Sequence, residues 1–166
     1  MSRADAELPG TAGAPVRVLI VDDEALGRLR VHDLLRGEQG VTVVGEAADG
    51  DAAVRAIREL SPDLVFLDVQ MPHKTGLDVV REIGARKMPM TIFVTAFDTY
   101  ALQAFDVAAL DYLVKPFDDE RFEQAFRRAR RVLALEGVER ARENLMTMLR
   151  ESARVATGID EFDRVL

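Results

Sequence analysis

The stretch VRVLIVDDE, residues 16–24, is an aliphatic and largely β-branched run, broken only by Arg17, that stops on three consecutive acids, Asp22, Asp23 and Glu24. A run this short and this apolar reads as a strand buried on both faces, the type found in parallel sheets. Leu64-Val65-Phe66-Leu67 runs into Asp68 in the same way. In an open parallel sheet, ligands bind beyond the carboxyl ends of the strands, where strand order reverses. Acids at two such ends therefore converge on one crevice.

Outward from these two runs, short apolar stretches at 41–44, 91–94 and 112–114 complete five strands separated by helix-length segments. Leu26, Leu29, Leu34 and Leu35 mark a first helix, Ala52, Ala53, Ala56, Ile57 and Leu60 a second, and Leu77, Val80 and Ile83 a third. A fourth pattern, short and rich in Ala and Phe, covers 100–105. The fifth helix starts at Asp118-Asp119-Glu120, acids suited to a helix N-terminus, and carries Phe122, Ala125, Phe126, Ala129 and Leu133. Pro62, Pro72, Pro89 and Pro116 all fall between elements. With right-handed crossovers this alternation is an α/β fold, a doubly wound parallel sheet of five strands with helices on both faces.

The chain has 166 residues, 48% of them hydrophobic, and no apolar run long enough to span a bilayer. Residues 1–15 lack the apolar core of a secretory signal and read, from their Pro, Gly and Ala content, as a disordered leader. The expected location is cytoplasmic, with no membrane partner. The absence of cysteine excludes a disulfide framework, thiolate chemistry and Cys-ligated zinc. Two histidines, His32 and His73, leave little for a His-based metal centre or a Ser-His triad. The net charge of −7 is concentrated in residues 1–118, with 19 acids against 12 bases, while residues 119–166 carry ten of each. Arg127-Arg128-Ala129-Arg130-Arg131 is the one basic stretch, and with glutamates to either side it reads as a solvated helix face.

Three clustered carboxylates repel one another unless a cation sits between them. Hard oxygen donors with room for water suit Mg²⁺, which commonly bridges protein carboxylates to a phosphate. Asp68, at a strand tip, is placed to attack phosphorus in line. Thr95, after Ile92-Phe93-Val94, adds a hydroxyl, and Lys115, after Tyr112-Leu113-Val114, adds the compact cation that a transferred phosphoryl group needs opposite the metal. Each has an ordinary explanation alone: the acids cap turns and helices, the threonine suits a strand, the lysine faces solvent. Their agreement at the ends of four strands favours a phosphoryl-accepting site.

VDDE at 21–24, LDVQMP at 67–72 followed by Gly76, VTAF at 94–97 and DYLVKPF at 111–117 together resemble the receiver (CheY-like) domain of bacterial two-component response regulators. The resemblance spans residues 16–133 and implies a flavodoxin-like sheet order of 2-1-3-4-5. It implies phosphorylation of Asp68 from a sensor histidine kinase or a small phosphodonor, and Mg²⁺ held by Asp23, Asp68 and the Gln70 carbonyl, with Asp22 acting through water. Thr95 and Lys115 would bind phosphoryl oxygens, and Tyr112 would be an aromatic switch responding to Thr95. Two positions that tune phosphoryl lifetime in the family are here Gln70 and Phe97; bulky Phe97 is expected to slow self-dephosphorylation. The chemistry implied is the chain's own phosphorylation and dephosphorylation, not turnover of a substrate. Wording such as VGEAADG at 44–50 and TAFDTYALQAFDVAALDYLVKPF at 95–117 resembles the subgroup with a LytTR-type DNA-binding output. Residues 134–166 are then a helical linker toward an output domain absent from this chain, and DNA is contacted only through that domain.

Other readings are a stand-alone receiver, a pseudo-receiver acting as an interaction module, and a phosphatase with an aspartyl nucleophile. The last places its two acids two apart after the first strand, whereas Asp22 and Asp23 are adjacent. Neither G-x-x-x-x-G-K-[ST] nor G-x-G-x-x-G follows the first strand, which argues against nucleotide binding. Beyond Val132, Val138, Ala141, Leu145, Met148, Ser152 and Val155 alternate spacings of three and four, a heptad seam of under three repeats. It reads equally as a stripe laid on the domain or as a self-associating coil. Gly137 is expected to interrupt any helix continuing from Glu120. A homodimer has two candidate surfaces, the switch face around Tyr112 and this C-terminal helix.

Overall fold

The computed structural model describes residues 14–96 and 109–157. Five parallel strands, β1 (Val16–Val21), β2 (Val41–Ala47), β3 (Leu64–Asp68), β4 (Met90–Thr95) and β5 (Asp111–Val114), form one sheet in the order β2-β1-β3-β4-β5. The helices are α1 (Ala25–Arg36), α2 (Gly50–Leu60), α3 (Gly76–Ile83) and the long α4 (Asp119–Thr157), which corresponds to the expected fifth helix. The expected helix at 100–105 lies outside the described residues.

Alternation along the strands divides the core in two. Leu19, Val21, Val65, Leu67 and Phe93 point to the face covered by α2 and α3, where Ala53, Val54, Ile57, Leu77, Val80 and Ile83 meet them. Val18, Ile20, Phe66, Ile92 and Val94 point to the other, covered by Val31 and Leu35 of α1 and by Phe122, Ala125, Phe126 and Ala129 of α4. Helices thus lie on both faces. Phe122 stacks between Phe66 and Phe126, with ring centroids 5.3 and 6.3 Å away, and anchors α4 to the sheet.

Local chemistry sets the helix starts. Asp49 accepts from the Ala52 N–H at 2.8 Å, Asp118 accepts from the Arg121 N–H at 2.8 Å, and Thr75 with Asp78 forms a reciprocal capping box. Strand β2 runs three residues past its expected end at Val44. Its pairing with β1 slips between Val18 and Leu19, skipping Val44, and this bulge carries the ladder through Gly45 to Ala47.

Two expectations are corrected. The first helix exists, but Leu26 and Leu29 are 79% and 50% exposed, and its core face is Val31 and Leu35. Gly137 does not break α4, which is continuous from Asp119 to Thr157. One glycine costs about 1 kcal/mol relative to alanine, which many flanking helix formers offset. Among the described residues no helix is long and apolar enough to cross a membrane.

Candidate functional site

Chain direction away from the sheet centre reverses between β1 and β3, and Val21 pairs with Leu67 there. Asp22 and Asp68 therefore leave adjacent strand ends side by side. Each carboxylate has one oxygen fastened to its own turn: the Glu24 N–H donates to Asp22 Oδ1 at 2.9 Å, and the Gln70 N–H donates to Asp68 Oδ1 at 3.1 Å. The remaining oxygens face a shared cation. Lys115 Nζ donates to Asp22 Oδ2 at 3.0 Å and to Asp68 Oδ2 at 3.5 Å. Each carboxylate thus caps its own turn through one oxygen and leaves the other facing the crevice and Lys115.

Asp22 and Asp68 are each 3% exposed, whereas Asp23 is open to solvent. Ligand oxygens of all three lie within 4.8 Å of one another, a hard-oxygen set that fits a divalent cation. Burial, and next the Asp22 charge, push the Asp68 carboxyl up to about 7 against the pull of Lys115. Burial pulls the Lys115 ammonium down, but its bond to Asp22 and the Asp68 charge outweigh this and hold it above the usual lysine value.

Thr95 ends β4 fully buried, and its carbonyl accepts from the Lys115 N–H at 2.7 Å, which ties the β4 and β5 ends together. The Lys115–Pro116 bond is cis. Gln70 is exposed immediately beyond Asp68. Tyr112 is half-buried, its ring stacked on Phe93 with centroids 5.8 Å apart and planes at 15°. Phe97 lies outside the described residues.

Four contributors escaped sequence reasoning. A Cβ at Gly27 would stand 2.1 Å from Asp22 Oδ2, so α1 can start beside this carboxylate only because the residue is glycine. Arg28 donates to the Asp22 carbonyl at 2.8 Å and pairs with Glu46 at 3.3 Å, which fixes the backbone of the acidic turn. Arg121 grips Asp111 through both carboxylate oxygens, at 2.7 and 3.3 Å, and donates to the Tyr112 carbonyl at 2.8 Å. Burial raises the Asp111 carboxyl, but the Arg121 hydrogen bond, the Tyr112 N–H and nearby arginine charge outweigh this and hold it below the ordinary carboxylate range. The signal that could have found Gly27 was a glycine within an otherwise helical pattern. Arg28, Asp111 and Arg121 left no comparable mark.

Comparison with known proteins agrees with this geometry. Residues 18–127 match the family model of the response regulator receiver domain. The transcriptional regulatory protein BtsR of Salmonella typhi is 41% identical over 129 residues, covering 78% of this chain and 54% of that protein. The chain thus spans about half the length of the curated relatives it matches. The REC domain of AraT, a response regulator from Geobacillus stearothermophilus, superposes with a TM-score of 0.65 at 31% identity, covering 73% of this chain and 97% of that one. CheX–CheY–BeF3–Mg²⁺ from Borrelia burgdorferi gives a TM-score of 0.62 at 26% identity, covering 69% and 88%. With the five-stranded sheet, the acidic crevice and these matches in agreement, the chain belongs to the response regulator receiver domain family.

Proposed function

We propose that this chain is a phosphorylation switch in which Asp68 accepts a phosphoryl group from the phosphohistidine of a sensor histidine kinase, or from a small phosphodonor such as acetyl phosphate. The observation that carries this reading is Lys115 Nζ lying between the free oxygens of Asp22 and Asp68, with Asp23 beside them and Thr95 tied to the same strand end. A carboxylate oxygen of Asp68 forms the new bond to phosphorus as the P–N bond to the donor imidazole breaks. Lys115 then transfers one of its contacts to a phosphoryl oxygen, and the Thr95 hydroxyl donates to another. Asp23, Asp68 and the Gln70 carbonyl, with Asp22 beside them, would hold Mg²⁺, which would supply the charge neutralisation that a dianionic phosphoryl group needs at these acids. The chemistry is confined to the chain's own phosphorylation and dephosphorylation.

Beside Lys115, Leu26, Arg30, Val31, Pro116 and Phe117 line a cavity of about 270 Å³, the approach we assign to the donor. Exposed Leu26 and Leu29 next to it suit a helical partner better than water. The readout is a shift between two arrangements of Thr95 and Tyr112, and of the surface formed by β5 and the start of α4. Relatives named as transcriptional regulators support an output in transcription, carried by a LytTR-type DNA-binding domain in the longer protein.

The test is incubation with Mg²⁺ and acetyl phosphate followed by intact mass. One phosphoryl adduct is expected, absent from Asp68→Asn. An unreactive wild type would leave the interaction-module reading in its place, and an undiminished adduct in Asp68→Asn would remove Asp68 from its role.

A further inference from the structure

Past the domain, α4 stands in solvent: every residue from 138 to 153 is exposed. That stretch is about 24 Å long at 1.5 Å per residue. It is not polar all round. Leu135, Val138, Leu145, Met148 and Leu149 are 65, 50, 53, 63 and 54% exposed. With Ala134, Ala141 and Ser152 they form one stripe at alternating spacings of four and three, with Leu135 and Leu149 along its flank. Glu136, Glu139, Arg140, Glu143 and Arg150 lie away from it.

Among the described residues nothing covers the stripe beyond Gly137. At 100° per residue, the side of α4 turned to the domain, where Leu133, Glu136 and Arg140 line a cavity with Met88 and Leu110, lies roughly a third of the way round the helix from the stripe. A helix without tertiary packing is marginal in water, so the cover comes from elsewhere.

We propose that the cover is a second copy of this chain, the two α4 helices pairing in parallel and in register over residues 134–152. Charge selects the direction. Pairing in parallel sets Arg142 on one flank against Gly137 of the second copy and Asn144 against Leu149, with no like charges facing. An antiparallel pairing over the same stripe has its midpoint near residue 143 and brings the two copies of Arg142 together. The small Ala134, Ala141 and Ser152 fill the first, third and sixth of the six layers, where the helices can approach closely, and Val138, Leu145 and Met148 fill the others. The inference is independent of phosphorylation.

Sedimentation equilibrium of the full chain across the micromolar range tests it, and its lack of cysteine makes cross-linking clean. A dimer is expected, weakened about a hundredfold by Leu145→Glu, which buries a charge in the seam, and unaffected by Arg150→Glu on the outer side. Under mild oxidation Ser152→Cys should form an interchain disulfide and Arg150→Cys should not. A monomer at the highest concentration overturns the proposal and assigns the cover to the chain itself. A dimer indifferent to Leu145→Glu moves the interface to another surface, and equal cross-linking at 150 and 152 overturns the parallel register. An unchanged near-ultraviolet signal from the tyrosines and phenylalanines of Leu145→Glu shows that the receiver fold is intact, while its far-ultraviolet helical signal should fall as the uncovered end of α4 frays.

Discussion

Gly27→Ala puts a methyl group where the Asp22 carboxylate now sits, with Cβ 2.1 Å from Oδ2 and 2.7 Å from Cγ. Two relaxations are open. Asp22 can swing away, which sacrifices the 3.0 Å bond from Lys115 and leaves a 3% exposed carboxylate short of its counter-charge. A hydrogen bond to a charged group is worth about 1.5–3 kcal/mol. Alternatively α1 can retreat from the sheet, which loosens the packing of Val31 and Leu35, now 3% and 2% exposed. Against either stands the gain of alanine over glycine in a helix, at most about 1 kcal/mol. The expected net loss is about 1–2 kcal/mol in urea unfolding, together with weaker Mg²⁺ binding by calorimetry. A double-mutant cycle isolates the cause: in an Asp22→Ala background there is no carboxylate to meet, and Gly27→Ala should become neutral or stabilising. The same loss in both backgrounds would refute the steric argument, as would a Gly27→Ala protein more stable than its parent with unchanged metal affinity.

Three other perturbations are as direct. Asp68 sits at about 7 in the fold against 3.8 unfolded, so the folded chain binds the extra proton; this contribution to stability is complete below about pH 4 and is lost as pH rises through 7. In EDTA, Asp68→Asn should therefore flatten the pH–stability curve and be more stable than the parent at pH 8 by about 1–2 kcal/mol, after allowance for screening; a steeper loss in Asp68→Asn than in the parent contradicts this. Gly76→Ala places a Cβ 2.4 Å from the Asp68 carbonyl oxygen, a backbone atom that cannot rotate away, and should cost about 1–3 kcal/mol in urea unfolding; no measurable cost would mean that α3 does not pack on the β3 end as described. Arg121→Ala removes the two-pronged grip on Asp111, and carboxyl NMR should show the Asp111 pKa rise, with loss of whatever stability that depressed value gives above the ordinary carboxylate range; an unmoved titration would discount the pair.

Strand positions and the acids at their ends were legible because a strand buried on both faces is a continuous apolar run, and its first polar residue marks where the sheet meets solvent. The leucines of α1 revealed the helix but not its buried face: Leu26 lies beside the cavity at Lys115, Leu29 is half exposed, and helical spacing alone does not say which of two apolar flanks faces the sheet. Gly137 was overweighted as a breaker because its cost is local while the stability of a 39-residue helix is cooperative. Asp111 and Arg121, ten residues apart, meet only because β5 ends where α4 turns back along the sheet, a relation of elements that no residue spacing records.

The acidic crevice is thus a place where folding and function pull against each other. Hydrophobic burial of β1 and β3 brings Asp22 and Asp68 together at 3% exposure, and the fold answers with three devices: an oxygen of each tied to its own turn, one shared lysine, and a glycine that leaves room. None removes the cost: burial first, and next the Asp22 charge, still hold the Asp68 carboxyl raised. The stored cost makes the acids responsive to charge, because any cation or phosphoryl group that rearranges Lys115 changes the balance at both strand ends at once. Thr95 is bonded through its carbonyl to the Lys115 N–H, and Arg121 at the start of α4 donates to the Tyr112 carbonyl of β5. On the proposed reading, a change at Asp68 would reach the start of α4 through bonds the fold already makes: Lys115 Nζ to Asp68, the Lys115 N–H to the Thr95 carbonyl, and Arg121 to Asp111 and the Tyr112 carbonyl.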